Sequence, residues 1–179
     1  RQVEEADCGP ACLTMVLLYY RSSVTLDFIK SQFSISKLGV TIADIENVAN
    51  SLGLKCVAIK TSIDYLIKNK PFPCILHWRK NHFIVLFDIK HKNNKFQYAL
   101  VADPSFGILK LPFNEFVENW NVNGGNGIAL ILQPTKQLSM NLDGSMKFRK
   151  FYDIKSFILK YLKNHKIDVL KIVLLLIIS

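Results

Sequence analysis

The chain has 179 residues, 50% of them hydrophobic, and a net charge of +9; that is enough to bury a core and too apolar for a disordered polyelectrolyte. Four cysteines without regular close spacing argue against a disulfide scaffold and for a reducing compartment. Residues 1–135 carry 14 basic and 11 acidic side chains, and residues 136–179 carry 9 and 3. The basic excess therefore lies in the tail, among apolar residues and without the aromatic platform of a nucleic-acid surface.

The stretch Gln2 to Cys12 sets a thiol where a loop turns into an apolar helix. The charged first residues and the Cys8-Gly9-Pro10 turn do not read as a secretory signal. Asp7 is suited to cap the helix, and Pro10 is tolerated in its first turn because it has no N–H to leave unpaired there. Ala11 to Tyr20 are mostly apolar helix formers. Cys8 then stands at the positive end of a helix dipole, which favours thiolate. Cys12, one turn deeper, reads as a small core residue. Cys8, Cys12, His77 and His82 match zinc ligands by type, but a Gly-Pro helix start is not a zinc knuckle and no second cysteine pair supports one.

Thr25 to Phe33 reads as a short helix with Leu26, Ile29 and Phe33 apolar. Thr41 opens another, with Ile42, Ile45, Val48, Ala49 and Leu52 on one face, and Gly53 ends it. Lys55 to Lys60 alternates as a strand, with Cys56 in the core. Ile63, Leu66 and Ile67 suggest a short helix before Pro71 and Pro73. From Cys74 the pattern is β: strands at 74–78 and 82–89, a hairpin loop from His91 to Lys95, and a return strand from Phe96 to Asp103. Pro104 closes that strand. Phe106–Leu111 is a further strand, Asn114–Trp120 a helical turn and Ile128–Leu132 a final strand. Helices first and an antiparallel meander after make an α+β layout.

Residues 136–150 are polar and irregular, a linker. Beyond it Phe151, Ile154, Phe157, Ile158, Tyr161 and Leu162 share a helical face, with Lys155, Lys160 and Lys163 elsewhere. This amphipathic basic helix suits a membrane surface; a helix facing a partner or the core is the alternative. The apolar run from Val169 to Ser179 is shorter than the roughly 20 residues of a spanning helix. The expectation is a front piece of a longer chain, cut inside its first membrane span, with the body on the cytoplasmic side.

A thiol catalyst needs a base, and the base an orienter. His82 opens a strongly apolar strand, and Asp103 ends the strand that returns beside it. If the two strands are hairpin neighbours, Cys8, His82 and Asp103 form a nucleophile–base–orienter set. His77, His91 and His165 fit structural roles better. The Cys8 N–H is one donor for an oxyanion, and the side-chain amide of Gln2 is a natural second.

Gln2, the Asp7-Cys-Gly-Pro-Ala-Cys-Leu run, His82-Phe-Ile-Val-Leu, Asp103-Pro104 and the Phe116…Trp120…Gly127 segment occur in the order and spacing of a known family. Residues 1–135 resemble the cysteine peptidase domain at the N-terminus of bacteriocin-exporting ABC transporters. The resemblance implies a papain-like fold, with N-terminal helices packed on an antiparallel sheet. It implies hydrolysis of a leader peptide after a double-glycine motif, with Cys8 as nucleophile, His82 as base, Asp103 as orienter and Gln2 as oxyanion donor. It further implies a homodimer at the bacterial inner membrane, with transmembrane and nucleotide-binding domains following. ATP and Mg are expected only in that later domain; no cofactor or nucleic acid is expected in this segment. An apolar groove would take the leader as an amphipathic helix. A non-catalytic docking module and a papain-like hydrolase or acyl transferase of other specificity are the alternatives. The chain departs from the family in the longer connection Asn121-Val-Asn-Gly-Gly-Asn and in beginning at Arg1, close to Gln2.

Overall fold

The structure, a computed structural model, describes residues 7–33, 39–79, 81–92, 95–120, 126–136 and 138. Three helices come first: α1 (Cys8–Tyr19), α2 (Leu26–Ser31) and α3 (Ile42–Ser51). Then follow β1 (Leu54–Ser62), α4 (Ile63–Asn69), β2 (Cys74–Trp78), β3 (His82–Lys92), β4 (Lys95–Asp103), β5 (Gly107–Leu111), α5 (Phe113–Trp120) and β6 (Asn126–Pro134).

Local chemistry explains most boundaries. Thr41 accepts from the Asp44 N–H, while the Asp44 carboxylate accepts from the Thr41 N–H at 2.8 Å, a reciprocal cap that starts α3. At α2 and α4 the cap runs one way, the Thr25 and Ser62 hydroxyls accepting from the Phe28 and Tyr65 N–H. After α3 the chain turns at Gly53 with φ +88°, where a Cβ would press on the Leu138 backbone.

The six strands form one sheet in the order β1-β6-β2-β3-β4-β5, every neighbouring pair antiparallel. Strands β2 to β5 are the expected meander. The last strand, β6, departs from it by inserting between β1 and β2. A second difference is the β3–β4 connection, where His91 and Lys92 pair with Phe96 and Lys95, so the hairpin is tighter than the polar segment 91–95 suggests. Cross-strand backbone bonds hold these residues despite their polarity.

Both faces of the sheet are covered. Leu13, Val16, Leu17, Ile29 and Ile45 of α1–α3 pack on Ile75, Phe83, Val85 and Leu130. Leu66 of α4, with Phe116 and Trp120 of α5, packs on Leu76, Trp78, Ile84, Leu86 and Ala129. Successive strand residues alternate between these two cores, so β2, β3 and β6 read as continuous apolar runs. Helix α1 is buried on nearly every side, and the Thr14 hydroxyl donates to the Pro10 carbonyl at 2.8 Å. Past β6, Thr135 donates to the Gly53 carbonyl through both N–H and hydroxyl, and Leu138 is buried in the α1–α3 core. Among the described residues no helix is long and apolar enough to cross a membrane. The helix expected in 151–179 lies outside the described residues, as does nearly all of the 136–150 linker.

None of the four cysteines is in a disulfide, and all four are buried. Burial pushes the Cys12 and Cys74 thiols well up, and pushes Cys56 up to about 12, with Glu46 acting the same way. On unfolding each thiol returns to an ordinary value of 9.0, so the unfolded chain loses these protons first. Stability is therefore full below pH 9 and declines as pH rises between the unfolded and folded values. Each thiol costs about 1.4 kcal/mol per pH unit in that window. Urea unfolding at pH 10.5 is expected to give a lower midpoint than at pH 7.5 (both conditions chosen around the roughly 8.5–9 thiol range), and Cys56→Ala should make the decline shallower.

Candidate active site

Cys8 is the first residue of α1 and is buried. Its neighbour Gly9 lets α1 approach α3 closely: a Cβ there would overlap Val40 and lie 3.1 Å from Ile45 Cδ1. Asp7 does not cap the helix, contrary to expectation. Pro10, at the third helical position, has no N–H to offer an Asp7 side chain, and the Asp7 carboxylate accepts from Lys30 Nζ instead. That ion pair ties the lead-in to Cys8 onto α2. The N–H groups of Cys8 and Gly9 act on the Cys8 sulfur, as does the backbone N–H of Phe83.

Phe83 is the residue after His82, so the sulfur lies against the strand start that carries the imidazole. His82 opens β3 and Asp103 closes β4, and the antiparallel register, with Val85 opposite Ala102, brings those two ends together. His82 Nε2 is 3.1 Å from Asp103 Oδ2. Asp103 is 6% exposed, and its other carboxylate oxygen accepts from the Ser105 N–H at 2.8 Å across Pro104. Both oxygens are thus engaged, which fixes the carboxylate plane and through it the ring. With Nε2 on Asp103, the ring nitrogen that remains for proton exchange with a thiol is Nδ1.

Burial raises the Cys8 thiol above its ordinary value, the three N–H groups lower it, and the negative charge of Asp103 raises it further. The net direction is up. A helix start alone therefore does not make Cys8 a thiolate here, because desolvation of the charged form outweighs the donors. Chemistry at this sulfur needs a base to take its proton.

The other sequence candidates fall elsewhere. Gln2 and His165 lie outside the described residues. Cys12 is fully buried in the α1–α3 core, and the His77 ring packs 5.3 Å from that of Phe83. Among the described residues no three His, Cys, Asp or Glu side chains come together as a metal site. The Phe83 N–H has no signal in the sequence, since every residue but proline carries that donor.

The peptidase C39 family matches residues 1–137. The chain belongs to the peptidase C39 family. As a C39 domain it is a cysteine peptidase of papain-like fold, with helices on an antiparallel sheet and a cysteine at the head of the central helix. It is 36% identical over 133 residues to the colicin V secretion/processing ATP-binding protein of Escherichia coli, covering 74% of this chain and 18% of that one. It is 28% identical over 141 residues to the pediocin PA-1 transport/processing ATP-binding protein of Pediococcus acidilactici, covering 75% of this chain and 18% of that one. The chain thus spans 18% of the length of each of these relatives. Among solved structures it is similar to a double glycine motif protease from an AMS/PCAT transporter, in complex with the leader peptide. That likeness has a TM-score of 0.64 at 34% identity, over 75% of this chain and 89% of that one. The peptidase domain of Streptococcus ComA, a bifunctional ABC transporter, gives 0.62 at 26% identity, over 75% and 96%.

Proposed function

We propose that this C39 domain is a cysteine endopeptidase that cuts a secreted precursor after a double-glycine leader, with Cys8, His82 and Asp103 as its working groups. The observation that carries the assignment is the contact set at one sheet end: His82 held by Asp103, and the Cys8 sulfur against the amide next to His82. The relatives named for colicin V secretion/processing and pediocin PA-1 transport/processing support the substrate class, as does the neighbour with a bound leader.

In this mechanism His82 Nδ1 takes the thiol proton as Cys8 Sγ attacks the carbonyl carbon of the second glycine. The oxyanion is met by the Cys8 N–H and by the side-chain amide of Gln2. Collapse breaks the C–N bond, and His82 gives its proton to the leaving amine. Water then attacks the thioester, its proton passes to His82, and the leader leaves as a carboxylic acid with the thiol restored. Asp103 keeps the ring in place and offsets the charge it gains. A glycine pair suits a narrow cleft, since it threads extended without side chains.

The full protein would be an exporter at the bacterial inner membrane, a homodimer with this domain on the cytoplasmic side. Residues 136–150 would link it to an amphipathic basic helix and the start of a membrane-spanning helix in 151–179. ATP and Mg would bind only in a later domain.

The test is digestion of a synthetic double-glycine leader peptide by the chain and by its Cys8→Ala variant. Cutting by the parent alone supports the peptidase. Equal binding with no cutting by either makes the domain a docking module.

A further inference from the structure

The turn that leads into His82 is held from outside the hairpin. Arg79, its first residue, has φ +47°, a left-handed conformation uncommon for a residue with a Cβ. Such a conformation persists where the surroundings fix it. Two hydrogen bonds to a single residue of α5 do so here. The Arg79 N–H donates to the Asn119 carbonyl at 3.0 Å, and Arg79 Nε donates to Asn119 Oδ1 at 2.6 Å.

The Asn119 amide is itself oriented, because its Nδ2 donates to the Glu115 carbonyl one turn earlier at 2.7 Å. Helix α5 cannot slide easily. Phe116 and Trp120 are fully buried on the sheet, and the Phe116 ring lies 5.6 Å from that of Trp78. Trp78 pairs across the hairpin with His82 itself. A rigid helix thus grips the turn at Arg79, three residues before the imidazole, while Asp103 grips the ring at the other end.

We propose that Asn119 is a positioning residue for His82: through Arg79 it sets where the strand carrying the imidazole begins relative to the Cys8 sulfur. This rests on the reading of His82 as the base. A base must stand within hydrogen-bond reach of the proton it takes, and small displacements of a reacting group cost rate far more than binding.

The test uses the 179-residue chain and a leader peptide ending in Gly-Gly-aminomethylcoumarin, with the folded fraction of each variant read from the amplitude of its urea-unfolding transition. Asn119→Ala is expected to lower kcat per folded site about tenfold, with KM within about twofold. Asn119→Asp, which keeps the acceptor for Arg79, should recover most of the loss. Arg79→Gly accepts the positive φ and keeps the main-chain bond but lacks Nε. It should lose rate as well, and the double variant should lose no more than the worse single one, since both act through one bond. Unchanged kcat in Asn119→Ala, or a loss that disappears once folded sites are counted, overturns the proposal. If Asn119→Ala does not fold, the exposed Arg79→Gly variant decides alone, and parental kcat there overturns it. His82→Ala, run alongside, separates the two claims. Parental cleavage by His82→Ala removes the base assignment, whereas an inactive His82→Ala beside a fully active Asn119→Ala removes only the clamp.

Discussion

His82→Ala lowers kcat for leader cleavage by about a thousandfold or more, with KM nearly unchanged. The size follows from the state of the sulfur. A thiol with the ordinary value of 9.0 is about 1% ionised at pH 7, and burial pushes Cys8 above that value. Without the imidazole nothing takes the thiol proton during attack, and nothing protonates the leaving amine. Binding of the leader does not use that proton, so KM is spared. Asp103→Ala should cost less, about a hundredfold, because the base remains and only its orientation and compensating charge are lost. Steady-state rates with a fluorogenic double-glycine peptide measure both. Equal rates for parent and His82→Ala would remove His82 from the chemistry.

Gly127→Ala is the substitution with the largest expected cost in stability. Gly127 lies in β6 beneath Trp120, and a Cβ there would overlap the indole ring. Trp120 has nowhere to retreat, being fully buried, with Nε1 donating to the Ile128 carbonyl at 3.1 Å and its ring 5.7 Å from Phe116. Overpacking of this kind together with loss of the indole hydrogen bond costs about 3 kcal/mol or more. In thermal unfolding that is a fall of about 10 °C in Tm. Because the displaced helix is α5, which carries Asn119, cleavage per folded site should fall as well. A Tm within about 2 °C of the parent, less than 1 kcal/mol is worth in a chain of this size, would mean that the indole has room to move.

Much of this was legible in the residues because the signals are local. Pro73 precedes β2, and Thr41 marks the start of α3. The meeting of His82 with Asp103 could be foreseen because each sits at the end of a strand in an uninterrupted meander. What the sequence hid is set by long-range pairing. The insertion of β6 between β1 and β2 joins segments such as Cys56 and Leu132, and strand order of that kind leaves no periodic trace. The Asp7–Lys30 ion pair and the Arg79–Asn119 grip span 23 and 40 residues, and isolated polar side chains do not announce partners at that range. The helix start at Cys8 is visible in the residues and its N–H groups do lower the thiol, but the burial that outweighs them is visible only in the packed structure.

The most direct measurement is covalent capture of the nucleophile. A leader peptide whose second glycine carries a vinyl sulfone in place of its carboxyl takes the thiol across the double bond, sulfur to the β-carbon and the proton to the α-carbon, and leaves a stable thioether. Mass spectrometry of the digested adduct should find the leader on Cys8 alone, none on Cys12, Cys56 or Cys74, and greatly reduced capture by His82→Ala. Capture on another residue, or equal capture with and without the imidazole, contradicts a thiol peptidase built on these three side chains.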